Sequence, residues 1–197
     1  MARGRPKTFD ETQALEAAML AFWRGGYQAT SLDDIMAATG MNRASLYATF
    51  GDKRSLFFRC LELYIASFEA RAGAMMAGEK TVRAAIAKLL EISIARLTDP
   101  GIPSGCLRTA ATLECAGMEV LIAEKLVAAN RRFESVIIDR LEQARKEGEL
   151  PESEDPVALG RYFASVIDGM IVLARSDADE KTLASIATCA MRALPSQ

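Results

Sequence analysis

The sequence predicts an all-α protein in two parts. Apolar residues recur at helical spacing along most of the chain, no stretch alternates like a strand, and capping residues precede the apolar runs that Gly and Pro close. Its 197 residues, half of them hydrophobic, suffice for a substantial core. The punctuation divides them into a small head over residues 1–55 and a larger helical domain over 56–197.

The chain opens on MARGRPK, in which Arg3, Arg5 and Lys7 all precede the first acidic residue, Asp10. Such an arm suits a phosphate backbone or a minor groove, with a solubilising tail as the alternative. Residues 1–55 hold 7 basic and 6 acidic side chains against 17 and 20 in the remainder, so the arm carries much of the positive bias. A net charge of −2 and a pI near 5.4 exclude a protein that coats nucleic acid over its whole surface. Any DNA contact must be local.

Residues 30–53 read as two short helices joined by a tight turn. Ser31, with Asp34 three residues on, makes an N-cap with a capping-box partner, and Leu32, Ile35 and Met36 form the apolar stripe of a helix over 32–39. Gly40 turns the chain and Met41 fills the angle. Asn42 caps the second helix, whose Leu46 and Phe50 face inward and leave Arg43, Ala44, Ser45, Ala48 and Thr49 outside. Arginine can pair bidentately with guanine, while hydroxyls and small methyls approach either base type. Tyr47 and Lys53 suit phosphates. A plain hairpin with a solvated polar face is the alternative. Asp33, near the start of the first helix, suits capping or dipole compensation better than DNA contact.

One helix from Asp52 to about Met76 carries a wide apolar face through Leu56, Phe57, Cys60, Leu61, Tyr64, Ile65 and Phe68, and could couple the two parts mechanically. Gly78 to Lys80 breaks it, and Thr81 caps a helix through Leu97. After the Pro100-Gly101-Ile102-Pro103 loop, Ser104 is placed as the cap of a helix reaching Cys115. Gly117 then loosens the chain before a long helix from Val120 to Arg145, ended by Gly148 and Pro151. The last two helices, 155–174 and 179–194, present Gly160, Ala164 and Ala174 on one and Ala184, Ala187 and Ala190 on the other. Small faces like these allow close helix approach, either in a core or across an interface.

The chain has no histidine, which excludes Ser-His and Cys-His nucleophile pairs and His-containing zinc sites. Phosphate-binding glycine loops are missing, and Cys60, Cys106, Cys115 and Cys189 lack a short paired spacing. No cofactor and no metal is therefore expected. The apolar runs are broken by Lys88, Glu91, Asp168 and Arg175, and no signal-peptide pattern appears, so the expectation is a cytoplasmic protein without a membrane partner. Cys106 falls at the second position of the helix assigned to Ser104, with Arg108 two residues on, where backbone N–H groups favour a thiolate. It is a candidate sensor, or else a packing residue like the other three. Arg108, Glu114 and Asp168 each face either a polar ligand group or solvent.

Residues 1 to about 60 resemble the DNA-binding domain of the TetR/AcrR family of bacterial transcriptional regulators. The motifs are the basic arm, the helix LEAAMLAFWRGGYQATS ending at Gly25 and Gly26, the Gly40 turn, the Ser45-Leu46-Tyr47 core, and Phe50 to Lys53 opening the next helix. The resemblance implies a three-helix helix-turn-helix head and a C-terminal effector-binding and dimerisation domain. It assigns Arg43, Ala44, Ser45, Ala48 and Thr49 to groove contacts and Ser31, Tyr47 and Lys53 to phosphates, with Asn42 and the arm's Arg3, Arg5 and Lys7 completing the DNA-binding set.

It further implies a repressor that binds a palindromic operator as a homodimer, with half-sites about 34–36 Å apart. The dimer would form through the last two helices, by Gly160, Ala164, Ile167, Ile171, Leu183, Ala187 and Ala190. An unidentified small-molecule or electrophilic effector would sit among residues 81–147, with Cys106 as the candidate sensing residue. Two readings from other classes stand beside it. One is an all-helical adaptor that binds only protein, which leaves the arm and the Arg43 to Thr49 surface unexplained. The other is a thiol-dependent enzyme using Cys106, for which no histidine base is available.

Overall fold

The computed structural model describes residues 10–115 and 120–195, and its regular structure among them is entirely helical. The elements are α1 Glu11–Ala29, α2 Leu32–Thr39, α3 Arg43–Phe50, α4 Lys53–Ala77, α5 Val82–Leu97, α6 Leu107–Cys115, α7 Val120–Lys146, α8 Pro156–Ala174 and α9 Glu180–Ala190. A single 3₁₀ turn, Met191–Ala193, follows α9. The chain forms two compact units, Met1–Tyr64 and Ile65–Gln197, and the division falls inside α4.

The first unit is held by aromatic packing between α1 and the first turns of α4. Phe22 meets Phe57 edge-on at 5.1 Å between ring centroids, and Trp23 meets Tyr64 at 4.9 Å. Such pairs add directional preference to their area burial. Rather than ending at its two glycines, α1 kinks at Gly26 and runs on to Ala29. The buried Thr30 hydroxyl stops it by donating to the Gly26 carbonyl at 2.6 Å.

In the second unit α8 packs along α7 and against α9, burying Phe163, Ala164, Ile167, Met170 and Ile171. By length and composition alone α8 is apolar enough to cross a membrane, which the sequence reading does not expect. Its buried stripe instead serves this core. Asp155 caps α8 and Asp179 caps α9, each accepting from a backbone N–H of the first turn.

The start of α6 differs from expectation. The helix begins at Leu107, and the carbonyl of Cys106 accepts its first bond, from Ala110 N at 2.9 Å. Ser104 does not cap it: Gly105 takes a left-handed φ of 86° between them, and the Ser104 hydroxyl donates to the Ala174 carbonyl at 3.5 Å. Arg108 and Asp168 meet one another. The guanidinium also bonds the Asn130 side-chain oxygen and lies 4.6 Å from the Phe133 ring centroid, while Thr109 donates to the same Asp168 oxygen at 3.1 Å. This cluster ties α6 to α7 and α8.

Candidate nucleic-acid interface

Both short helices of the head are fixed by their own side chains. Ser31 Oγ accepts from Asp34 N at 3.1 Å, while Asp34 Oδ2 accepts from Ser31 N at 2.8 Å and Oγ at 2.7 Å. The two donors from Ser31 hold the Asp34 carboxyl below its usual range. Gly40 closes α2 with φ 68°, the left-handed turn that favours glycine, and Met41 is buried in the angle that follows. Asn42 Oδ1 accepts from Ser45 N at 2.9 Å and starts α3.

The first unit's core takes Leu46 and Phe50. Arg43, Ala44, Tyr47 and Ala48 are exposed, and Ser45 and Thr49 are half-buried, so the polar face of α3 is open along its length. Lys53 begins α4 beside it. Its ammonium donates to the Gln28 carbonyl at 3.2 Å and stands 4.9 Å from the Tyr27 ring centroid, which fixes a positive charge at this edge. Asp52 caps α4 by accepting from Ser55 N at 2.7 Å, and that bond lowers its pKa. Arg3, Arg5 and Lys7 lie outside the described residues.

Two residues here take parts that sequence reasoning did not find. Arg59 bonds Glu11 at 2.8 Å and lies 4.9 Å from the Phe50 ring centroid, so it links the end of α3 to the start of α1. Forty-eight residues separate that ion pair, and no local spacing announces it. Asp33 does not cap α2, whose start Ser31 and Asp34 close as a capping box; it lies in the helix's acidic first turn, where its charge suits the dipole, and its Oδ1 lies 3.5 Å from Arg43 Nη2.

The remaining predicted sites fall elsewhere. Gly160, Ala164, Ile167, Ile171, Leu183 and Ala190 are buried within a single chain, so they form its core and not a dimer surface. At Gly160 a Cβ would collide with Cγ1 of Ile138 on α7, which shows what its small size serves. Ala187 is half-buried in a groove between α5 and α9. Cys106 is buried, at 5% exposure, and lies in the turn before α6 rather than at the second position of the helix. The Cys115 side chain lies outside what is described.

Residues 14–60 match the family model described as bacterial regulatory proteins, tetR family, and residues 82–190 match the tetracyclin repressor-like C-terminal domain. The second match alone covers more than half of the chain. The chain belongs to the TetR family. This TetR-family chain is 35% identical to the HTH-type transcriptional repressor ComR of Escherichia coli, over 98% of its own length and 93% of ComR. It is 29% identical to the HTH-type transcriptional regulator YezE of Bacillus subtilis, over 89% and 91% of the two chains. Among solved structures, a cysteine mutant of the TetR family regulator CifR, complexed with 26-bp double-strand operator DNA, superposes with a TM-score of 0.89 at 30% identity. That match covers 98% of this chain and 100% of CifR. The family consists of DNA-binding transcriptional regulators, so the enzyme and adaptor readings fall away.

Proposed function

We propose that this TetR-family regulator represses transcription by binding a palindromic operator as a homodimer, and that an effector releases it. One observation carries the DNA contacts: α3 is capped at its start, packed by Leu46 and Phe50 and otherwise open, with Arg43 leading its exposed face. Arg43, Ala44, Ser45, Ala48 and Thr49 enter the major groove, while Tyr47 and Lys53 rest on phosphates. Ser31, whose hydroxyl is engaged in the capping box, offers a further phosphate contact, and the arm of Arg3, Arg5 and Lys7 follows the backbone. Such work belongs in the cytoplasm, where bacterial DNA lies.

TetR-family proteins act as dimers that bind small-molecule effectors. Here the dimer surface is assigned to the outward stripe of α8, which carries Tyr162, Val166, Gly169 and Leu173. These lie two positions from the buried Gly160, Ala164, Ile167 and Ile171, about 200° around the helix. A reversible apolar effector suits a cavity of about 300 Å³ in the second unit, lined by Phe68, Met75, Leu89 and Ile92 with Arg71 and Arg96. Modification of Cys106 is a second route, and its burial requires the turn before α6 to open first.

Selection of bound fragments from random DNA, with and without cell extract, tests the proposal. A palindromic consensus that extract weakens supports it. A pool without consensus overturns the operator reading.

A further inference from the structure

Asp33 occupies the second position of α2 and is 83% exposed at its side chain, beside an Arg43 side chain that is 60% exposed. Asp34 performs the capping box, so the helix start does not need the carboxylate of Asp33 for that purpose. Nor does the fold gain much from the pair, because exposed ion pairs contribute little to stability. On a surface that meets DNA, a lone carboxylate repels phosphates and weakens binding to every sequence alike.

A different role fits this geometry, and we propose that Asp33 is a positioning residue that holds the Arg43 fork for reading one guanine, and so sets specificity. This rests on the assignment of Arg43 to base reading. A guanidinium has five N–H donors in one plane. The contact of Asp33 Oδ1 with Nη2, at 3.5 Å, engages one of the two Nη2 hydrogens and leaves the other, with the neighbouring donor on its edge of the fork, for guanine O6 and N7. Arg43 lies at the first position of α3 with most of its side chain exposed, so without Asp33 the fork samples many rotamers, and ordering it opposes binding. A fixed fork favours the matching guanine and so widens the ratio between specific and random sites, whereas the charge of Asp33 by itself lowers affinity for both alike.

The test selects bound fragments from random duplex DNA with the full-length wild type, Asp33→Ala, Asp33→Asn, Arg43→Ala and the double variant Asp33→Ala/Arg43→Ala. Arg43→Ala should erase a guanine preference at one position of each half-site. Asp33→Ala should lower the enrichment of that same guanine by about threefold to tenfold, and Asp33→Asn by less, because its amide oxygen still accepts. The double variant should match Arg43→Ala alone. If Asp33→Ala leaves that position unchanged, or alters affinity for all fragments equally, the carboxylate acts only as a charge and the inference is overturned. If Arg43→Ala itself retains the wild-type consensus, the base-reading assignment fails, and the inference fails with it. Circular dichroism melting confirms that every variant compared is folded.

Discussion

Gly160 lies so close to Ile138 that any side chain on it would overlap the Cγ1 of the isoleucine. Gly160 therefore lets α7 and α8 approach closely inside one chain. The opposite stripe of the helix, where Tyr162 is 42% and Leu173 is 41% exposed, is open on the single chain and is the surface proposed above for a partner.

Two substitutions separate these faces. Gly160→Leu should destabilise the fold by about 1–3 kcal/mol or more through overpacking, read as a lower urea midpoint. Leu173→Glu should keep the helix content and sediment as a monomer where the wild type sediments as a dimer. A Leu173→Glu variant that stays dimeric at micromolar concentration removes α8's outward stripe from the interface.

On DNA, Arg43→Ala should weaken the specific site by about 1–3 kcal/mol and random DNA little. Lys53→Ala should weaken both and lower the salt slope by about one. Fluorescence anisotropy over a range of salt concentrations measures both quantities. Equal losses for the two variants on every sequence would contradict the assignment of Arg43 to a base.

Thiol reactivity should follow exposure. Cys189 is exposed on α9, Cys106 is buried, and burial pushes the Cys60 thiol up to about 12. At neutral pH an alkylating reagent should therefore label Cys189 first, with Cys60 and Cys106 slower by about tenfold or more. Mass spectrometry of timed digests gives the order. Labelling of Cys106 at the rate of Cys189, with operator release that Cys106→Ser abolishes, would favour the electrophile route over a reversible ligand.

Acid should loosen the head through its caps. The carboxyls of Asp34 and Asp52 are held below their usual value of 3.8 by hydrogen bonds from Ser31 and Ser55. A depressed folded pKa gives stability that is present above the unfolded value and lost as pH falls through the folded one. Urea midpoints should thus decline below about pH 4, and Asp34→Asn should flatten that decline. An unchanged acid limb in the variant would show that the capping box is not its source.

The sequence by itself determined the all-helical class and the head's helix-turn-helix, down to Ser31 and Asp34 as a capping box, Gly40 as the turn and Asn42 as the next cap. Those features are legible because caps and turns are local: the atoms that satisfy each backbone N–H belong to residues within four positions. Periodicity likewise marked Leu56, Phe57, Cys60, Leu61, Tyr64 and Ile65 as the buried side of α4.

Tertiary structure decided which neighbour each apolar face meets. A stripe of small residues reads the same whether it packs on its own chain or on a second copy, and only the position of Ile138 shows that Gly160 serves the first. It also decided the start of α6, where Gly105 turns the chain and Cys106, not Ser104, takes the position before the helix. The same holds for pairs formed across space: Arg108 with Asp168, Glu11 with Arg59, and Asp33 with Arg43 join residues from different helices. Opposite charges attract over a few ångströms of space, and separation along a sequence says nothing of that distance until the helices are packed.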